Sequence, residues 1–151
     1  MKVRRLLTLV LTLGLLLALS LPAQAADLTY EVSGGKLYFD AATGTITRAD
    51  ETVTEADIPA EIYGVPVTAI GDYAFNQRKE LVSVTIPSTV TTIGRQAFGA
   101  CSSLEQVALP DSVTSLGQGV FYGCSGLTDV TLSKNLTSIP RDTFAACSSL
   151  T

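Results

Sequence analysis

The chain repeats itself with a period of 23 residues, and this period restricts its fold more than any other feature. An aromatic residue recurs at this step, at Phe75, Phe98, Phe121 and Phe144. Leucine recurs in the same way, at Leu81, Leu104 and Leu127. A further apolar column comprises Ile70, Ile93, Leu116 and Ile139. Because one such unit is too small to bury its own apolar face, columns in register predict a solenoid of stacked coils.

Each unit contains a segment in which apolar and polar residues alternate, such as LVSVTIP at residues 81–87. Alternation with a period of two is typical of a strand with one buried face, so Val84 and Ile86 are expected to point inward. Proline then ends the strand, since it cannot donate to a ladder. Residues 93–98 are expected to form a turn, or one 3₁₀ or α turn, on the opposite side. The predicted fold class is an α/β-type repeat solenoid with one short parallel strand per coil.

The units share the pattern Phe-x-x-Cys-x-x-Leu-x-x-Val-x-Leu-Pro-x-x-Val-x-x-Ile-Gly, which resembles the BspA-type leucine-rich repeat of bacterial surface proteins. The resemblance covers residues 58–151, with three departures. Arg78 replaces the cysteine of the first unit, Ser133 replaces a proline, and Pro140 replaces a glycine. The resemblance implies a leucine-rich-repeat fold and a cell-surface or secreted role in adhesion or protein binding. The implied partner is a protein or another cell-surface or extracellular-matrix ligand.

Residues 1–25 have the features of an export signal. Basic residues come first, at Lys2, Arg4 and Arg5. An apolar stretch over residues 6–21 and the small residues of Ala23-Gln24-Ala25 follow, which favours cleavage after Ala25. The alternative is a transmembrane anchor, because the apolar stretch approaches spanning length. We predict an exported protein, extracellular or at the cell surface, that does not insert into the membrane once the signal is removed.

The charge of the remaining chain excludes one class of partner. Three of the ten basic residues lie in the predicted signal and all 14 acidic residues lie outside it, so seven basic residues face 14 acidic ones, a net charge of −7. A chain this acidic, without a basic stripe, is not expected to bind nucleic acid.

Residues 26–57 are more acidic than the repeats and lack the 23-residue period. The segments LTYEV, KLYFD and TITRA, separated by glycine-containing turns, predict a small β cap over the first coil. The repeats of residues 58–151 then begin with five extra residues between Pro59 and Val67. They stop at CSSLT, just where a fourth strand is due, so we expect a C-terminally truncated repeat array.

The cysteines also follow the period, at Cys101, Cys124 and Cys147. Stacked in adjacent coils, they would lie about 5 Å apart. A buried packing column is favoured, and a disulfide between neighbouring coils is the alternative. Because the chain contains no histidine, neither a zinc site nor a nucleophilic thiol is expected.

Two further segments contain acidic residues of the kind found in catalytic or calcium-binding sites. DAATGT at residues 40–45 has the spacing of neither a phosphorylated aspartate loop nor an aspartic protease, and is interpreted as a hairpin turn. The acidic group Asp50, Glu51, Glu55 and Asp57 matches no calcium loop and is interpreted as a solvated surface. No catalytic, cofactor-binding or metal-binding residue is therefore predicted.

A binding surface is predicted on the outward side of the strands. Its residues are Ser83, Thr85, Gln106, Ala108, Asp129 and Thr131. They would form a flat array of short, mostly polar side chains, the kind of surface that solenoids use for recognition. We predict a recognition module that is not an enzyme. The alternative is a targeting region of a larger surface peptidase or cell-wall hydrolase whose catalytic domain lies beyond residue 151.

Overall fold

The computed structural model describes residues 27–151, so the predicted signal over residues 1–25 lies outside the described residues. The described part is a β-solenoid of about 4 turns. Its strands are β1 (Leu28–Val32), β2 (Gly35–Asp40), β3 (Thr45–Ala49), β4 (Glu55–Asp57), β5 (Glu61–Ile62), β6 (Val65–Pro66), β7 (Ala69–Ile70), β8 (Ser83–Thr85), β9 (Thr92–Ile93), β10 (Gln106–Ala108), β11 (Ser115–Leu116) and β12 (Asp129–Thr131).

Two sheets run along the solenoid axis. One has six strands in the order β1-β2-β3-β7-β9-β11, and the other has four in the order β12-β10-β8-β4. The predicted parallel strand of each repeat is present as β8, β10 and β12. The later repeats also contribute a second strand of two residues, β9 and β11, which pair in parallel with each other. The expectation of one strand per coil was therefore incomplete.

The three strands predicted from LTYEV, KLYFD and TITRA are present as β1, β2 and β3, which pair as an antiparallel meander. β3 then pairs in parallel with β7, which is the first of the short repeat strands β7, β9 and β11 in the six-stranded sheet. The meander is thus continuous with the solenoid by backbone hydrogen bonds as well as by packing.

The five extra residues after Pro59 form the antiparallel hairpin β5–β6. Its tip contains Tyr63 and Gly64 with φ angles of 51° and 81°, the left-handed pair that a tight two-residue hairpin requires. The Tyr63 hydroxyl donates to the Thr29 carbonyl at 3.0 Å, which ties the hairpin to β1.

The side opposite the four-stranded sheet is built from turns, and residues 27–151 contain no helix. The α/β part of the predicted fold class is therefore not confirmed. Two columns of residues with positive φ explain why no helix forms, because left-handed residues interrupt it in every coil. The columns are Tyr73, Gln96, Gly119 and Asp142, and Gln77, Ala100, Gly123 and Ala146.

The turns are joined along the axis by their own hydrogen bonds. The N–H groups of Tyr73, Phe75 and Gln77 donate to carbonyls of the next coil at 2.8, 2.7 and 2.7 Å. The same three bonds recur at the next two coil interfaces. In the last described coil the corresponding N–H groups have no acceptor among residues 27–151; they belong to Asp142, Phe144 and Ala146.

The core follows the predicted columns closely. The phenylalanine rings stack face to face, with centroids 5.0, 5.6 and 5.7 Å apart in successive coils. Leu81, Leu104 and Leu127 are completely buried beside them. Aromatic stacking and burial of large apolar side chains stabilise each coil interface.

One column is shorter than predicted. Ile70, Ile93 and Leu116 are buried, but Ile139 is 53% exposed and belongs to no strand, so its assignment to the core was wrong. The glycine position explains the difference. The N–H groups of Gly71, Gly94 and Gly117 donate to the preceding coil at 2.8, 2.8 and 2.7 Å, whereas Pro140 has no N–H to donate.

Candidate binding surface

All six residues of the predicted binding surface are exposed, and the structure places them on three adjacent strands of the four-stranded sheet. Gln106 lies opposite Asp129 on one side and Ser83 on the other. Ala108 lies opposite Thr131, and Thr85 follows in the same register. The six side chains therefore form two rows that run across the strands.

A fourth strand extends the predicted surface. β4 pairs in parallel with β8, which places Glu55 beside Ser83 and Asp57 beside Thr85. Both carboxylates are exposed and complete the two rows. We refer to the eight residues as the sheet face: Glu55, Ser83, Gln106 and Asp129 in one row, and Asp57, Thr85, Ala108 and Thr131 in the other.

Sequence reasoning missed Glu55 and Asp57, although the signal was available. Glu55 precedes Ser83 by 28 residues, which is the 23-residue period plus the five-residue insertion. Applying the same shift places Pro59 in register with Pro87. The five-residue insertion shifts the register of the residues that precede it, which the local alternation of apolar and polar residues does not reveal.

The sheet face contains a shallow groove of about 250 Å³. Its lining residues are Val84, Gln106, Val107, Ala108, Asp129 and Thr131. One of these residues belongs to β8 and five belong to β10 and β12, so the groove lies on the β10–β12 side of the sheet face. Half of its lining residues are apolar.

The sheet face is acidic and its charges are not neutralised nearby. Within residues 27–151 the ion pairs are Lys36–Glu31 and Lys134–Asp111, each 3.3 Å, and neither involves a residue of the face. Hydrogen bonds from the Lys134 backbone and side chain lower the pKa of Asp111, so that carboxylate is already engaged. Glu55 accepts only a 3.4 Å hydrogen bond from the Ser33 hydroxyl.

The cysteine column is buried and consists of free thiols. Each thiol donates to the carbonyl of the phenylalanine one coil earlier: Cys101 to Phe75 at 3.0 Å, Cys124 to Phe98 at 3.0 Å, and Cys147 to Phe121 at 3.1 Å. The column is therefore a ladder of hydrogen bonds as well as a set of packed side chains.

Cys101 and Cys147 are poorly suited to ionise, whereas the side-chain hydrogen bond with Cys101 lowers the pKa of Cys124. The neighbouring Cys124 thiol and burial together raise the pKa of Cys101, and burial raises the pKa of Cys147. Because the thiolate is the reactive form, a raised pKa is the opposite of what a nucleophilic cysteine needs.

Arg78 ends this column toward the N-terminus. Its Nε donates to the Ala49 carbonyl and its Nη1 to the Asn76 carbonyl, both at 2.8 Å. The guanidinium thus joins the last residue of β3 to the first coil. A cysteine at this position is too short to make both bonds.

The DAATGT segment at residues 40–45 has a structural role as a turn. In the turn after β2, the Asp40 carboxylate accepts hydrogen bonds from the Ala42 N–H at 2.8 Å and the Thr43 hydroxyl at 2.9 Å. Residues 27–151 contain no group of three or more potential metal-ligating side chains. They also contain no helix with the length and apolar character to cross a membrane.

The model of the family described as BspA type leucine-rich repeat region matches residues 53–151 in six copies. A comparison with curated proteins finds no significant match.

Three solved structures are similar in fold. A leucine-rich repeat protein from Eubacterium ventriosum is 25% identical, with a TM-score of 0.69 over 86% of this chain and 33% of that protein. A leucine rich cell surface protein from Faecalibacterium prausnitzii is 31% identical, with a TM-score of 0.60 over 85% of this chain and 42% of that protein. A leucine-rich repeat protein from Bacteroides ovatus is 24% identical, with a TM-score of 0.50 over 81% of this chain and 36% of that protein. The chain thus spans less than half the length of each.

Proposed function

The chain belongs to the BspA type leucine-rich repeat family, and on that basis we propose that it is an exported module that binds another protein through its sheet face, with no catalysis of its own. The family is one of repeat proteins, and repeat solenoids recognise partners through extended surfaces. The export features of residues 1–25 and the similarity to a protein described as a cell surface protein support a surface or secreted location, where the proposed role is adhesion.

The observation that carries the proposal is the arrangement of the sheet face. Eight exposed side chains lie in two rows on four adjacent strands, and no other described part of the chain covers them. A rigid array of this kind presents contacts at fixed spacing and loses little conformational entropy on binding. The β1–β3 meander would act as the cap that keeps the first coil of this array ordered.

Adhesion measurements with a substituted sheet face would test the proposal. Beads coated with the purified protein are expected to adhere to an immobilised extracellular-matrix extract. Ala108→Arg places a long side chain in the groove and is expected to reduce adhesion by at least about tenfold.

Ser115→Arg is the matched control, because Ser115 is an exposed strand residue of the other sheet. It should leave adhesion unchanged. Equal adhesion of the wild type, Ala108→Arg and Ser115→Arg proteins would contradict a role for the sheet face.

A further inference from the structure

We propose that the sheet face binds an extended protein segment carrying two basic side chains four residues apart, with an apolar side chain midway between them. This inference rests on the proposed function, because it assigns a partner chemistry to the same surface. It follows from the charges at the edges of the face, the distance between them, and the groove on its β10–β12 side.

The charges of the sheet face lie at its two edges. Glu55 and Asp57 are on β4 at one edge, and Asp129 is on β12 at the other. The strands between them carry no charged side chain on this face. All of the charges are negative, so a partner with complementary potential is cationic.

The basic side chains of the described chain do not neutralise this surface. Several are engaged elsewhere: Lys36 with Glu31, Lys134 with Asp111, Arg48 over the Tyr38 ring at 3.8 Å, and Arg78 with two carbonyls. None of the basic residues is part of β4, β8, β10 or β12. A cationic partner therefore meets no competing cation on the face.

The spacing of the charges matches an extended chain. Glu55 and Asp129 belong to one row and are separated by three strand-to-strand steps, which is about 14 Å. In an extended segment, side chains at i and i+4 point to the same side and lie about 14 Å apart. A segment that lies across the strands, parallel to the solenoid axis, therefore places its two cations over Glu55 and Asp129.

The centre of the face favours an apolar side chain over a third cation. The side chain at i+2 of such a segment points to the same side and falls between the two charges. There the groove is lined by Val84, Val107 and Ala108; Val107 is buried and Val84 half-buried, so the exposed apolar side chain is that of Ala108. Burying one apolar side chain at this point adds a contact that does not depend on salt, which an evenly basic segment lacks.

Two other ligand classes fit less well. Anionic ligands are repelled by the three carboxylates of the face. A divalent cation needs clustered ligands, and residues 27–151 hold no such cluster.

Peptide binding tests the proposal directly. The probe is the acetylated and amidated peptide TKTVTKT, which has the proposed spacing, and the first control peptide is TTKVKTT, with the same composition and closer cations. The purified protein is expected to bind the probe about fivefold more tightly than this control by isothermal titration calorimetry, because only the probe spans both edges. A second control, TKTSTKT, removes the apolar side chain and should also bind more weakly than the probe.

Charge neutralisation of the protein supplies the second measurement. Glu55→Gln combined with Asp129→Asn is expected to weaken probe binding by about tenfold. Glu51→Gln combined with Glu61→Gln removes the same charge from exposed positions outside the face and should leave binding within about twofold. Equal loss in both double variants, equal affinity for all three peptides, or no detectable binding would overturn the proposal.

The same results separate this inference from the function on which it rests. If Ala108→Arg abolishes adhesion to matrix while the probe does not bind, the sheet face is a binding surface and the partner chemistry is wrong. If Ala108→Arg has no effect on adhesion either, the proposed function fails as well.

Discussion

The phenylalanine column and the glycine column start together in the first coils and end differently. Phe144 stacks on Phe121 at 5.7 Å, so the phenylalanine column reaches the last described coil. The glycine column ends at Gly117, and at the next position Pro140 leaves Ile139 exposed. The last described coil therefore packs against the preceding coil on the turn side, but it does not join the strand ladder of the six-stranded sheet.

The difference shows that the two columns depend on different interactions. A ring needs only another ring to stack on, and backbone bonds from the turns hold the two coils together. The glycine column needs both an N–H donor and room for the backbone, since a Cβ at Gly117 would collide with the backbone nitrogen of Arg95. Proline has no N–H and carries a Cβ, so it meets neither requirement.

Truncating the stacked rings should give the largest effect. Phe98→Ala is expected to reduce the free energy of unfolding by about 4 kcal/mol, because Phe98 is fully buried between two rings. Phe144→Ala is expected to cost about 2 kcal/mol, because its ring is only partly buried and stacks on one side. Urea unfolding of both variants measures the difference; equal costs would mean that the interior ring and the last ring contribute equally to stability.

Restoring the glycine column should have a smaller effect on stability and a clear effect on structure. Pro140→Gly returns a backbone donor, worth about 1 kcal/mol, and this gain is partly offset by the flexibility of glycine in the unfolded chain. The amide at position 140 is expected to be protected from hydrogen exchange by the Leu116 carbonyl. Pro140→Ala is the control, since it restores the N–H but introduces the Cβ that the close approach excludes. Protection in both variants, or in neither, would show that the missing donor and the missing space are not both needed.

The thiol ladder should make stability depend weakly on alkaline pH. The pKa of Cys101 is raised in the folded protein, so its contribution is complete below the unfolded pKa and is lost as pH rises above about 8.5. From about pH 7 to about pH 9 the wild type should lose more stability than Cys101→Ala, by less than about 0.8 kcal/mol, because the lowered pKa of Cys124 offsets part of the Cys101 contribution. Cys147→Ala, in the outermost described coil, should differ less from the wild type. A larger pH dependence for Cys147 than for Cys101 would contradict the order of burial along the column.

Most of the repeat architecture was predictable from the sequence because its columns record packing directly. The residue types of Phe75 and Leu81 recur at a fixed step of 23 residues. Apolar residues that repeat in register stack on one another between coils, so they are expected in the core. The three strands of the meander were also predictable, since alternation and glycine-containing turns mark them.

The three departures from the repeat were visible in the sequence, but their consequences were not. Ser133 is buried in place of a proline and its hydroxyl donates to the Val113 carbonyl at 2.6 Å. Arg78 replaces a thiol and joins β3 to the first coil. Pro140 has no such compensation and ends a ladder. Whether a substitution is compensated depends on which carbonyl lies within reach, and a pattern of residue types does not contain that information.

The candidate surface was predictable in part. The outward positions of β8, β10 and β12 follow from alternation, and the structure places them side by side. The acidic edge on β4 was not foreseen, because the inserted hairpin displaces its register by five residues. Alternation of apolar and polar residues predicts which face of its own strand a side chain lies on. Which strand pairs with β8 at the edge depends on the chain segment that connects the two strands.

The hydrogen bonds between the turns have the opposite polarity to those of the glycine column. Every N–H in the turn rows points toward the C-terminal coil, whereas the N–H groups of Gly71, Gly94 and Gly117 point toward the preceding coil. Each interface between two coils is therefore held by donors from both sides, and the dipoles of the two sets of peptide groups oppose one another along the axis.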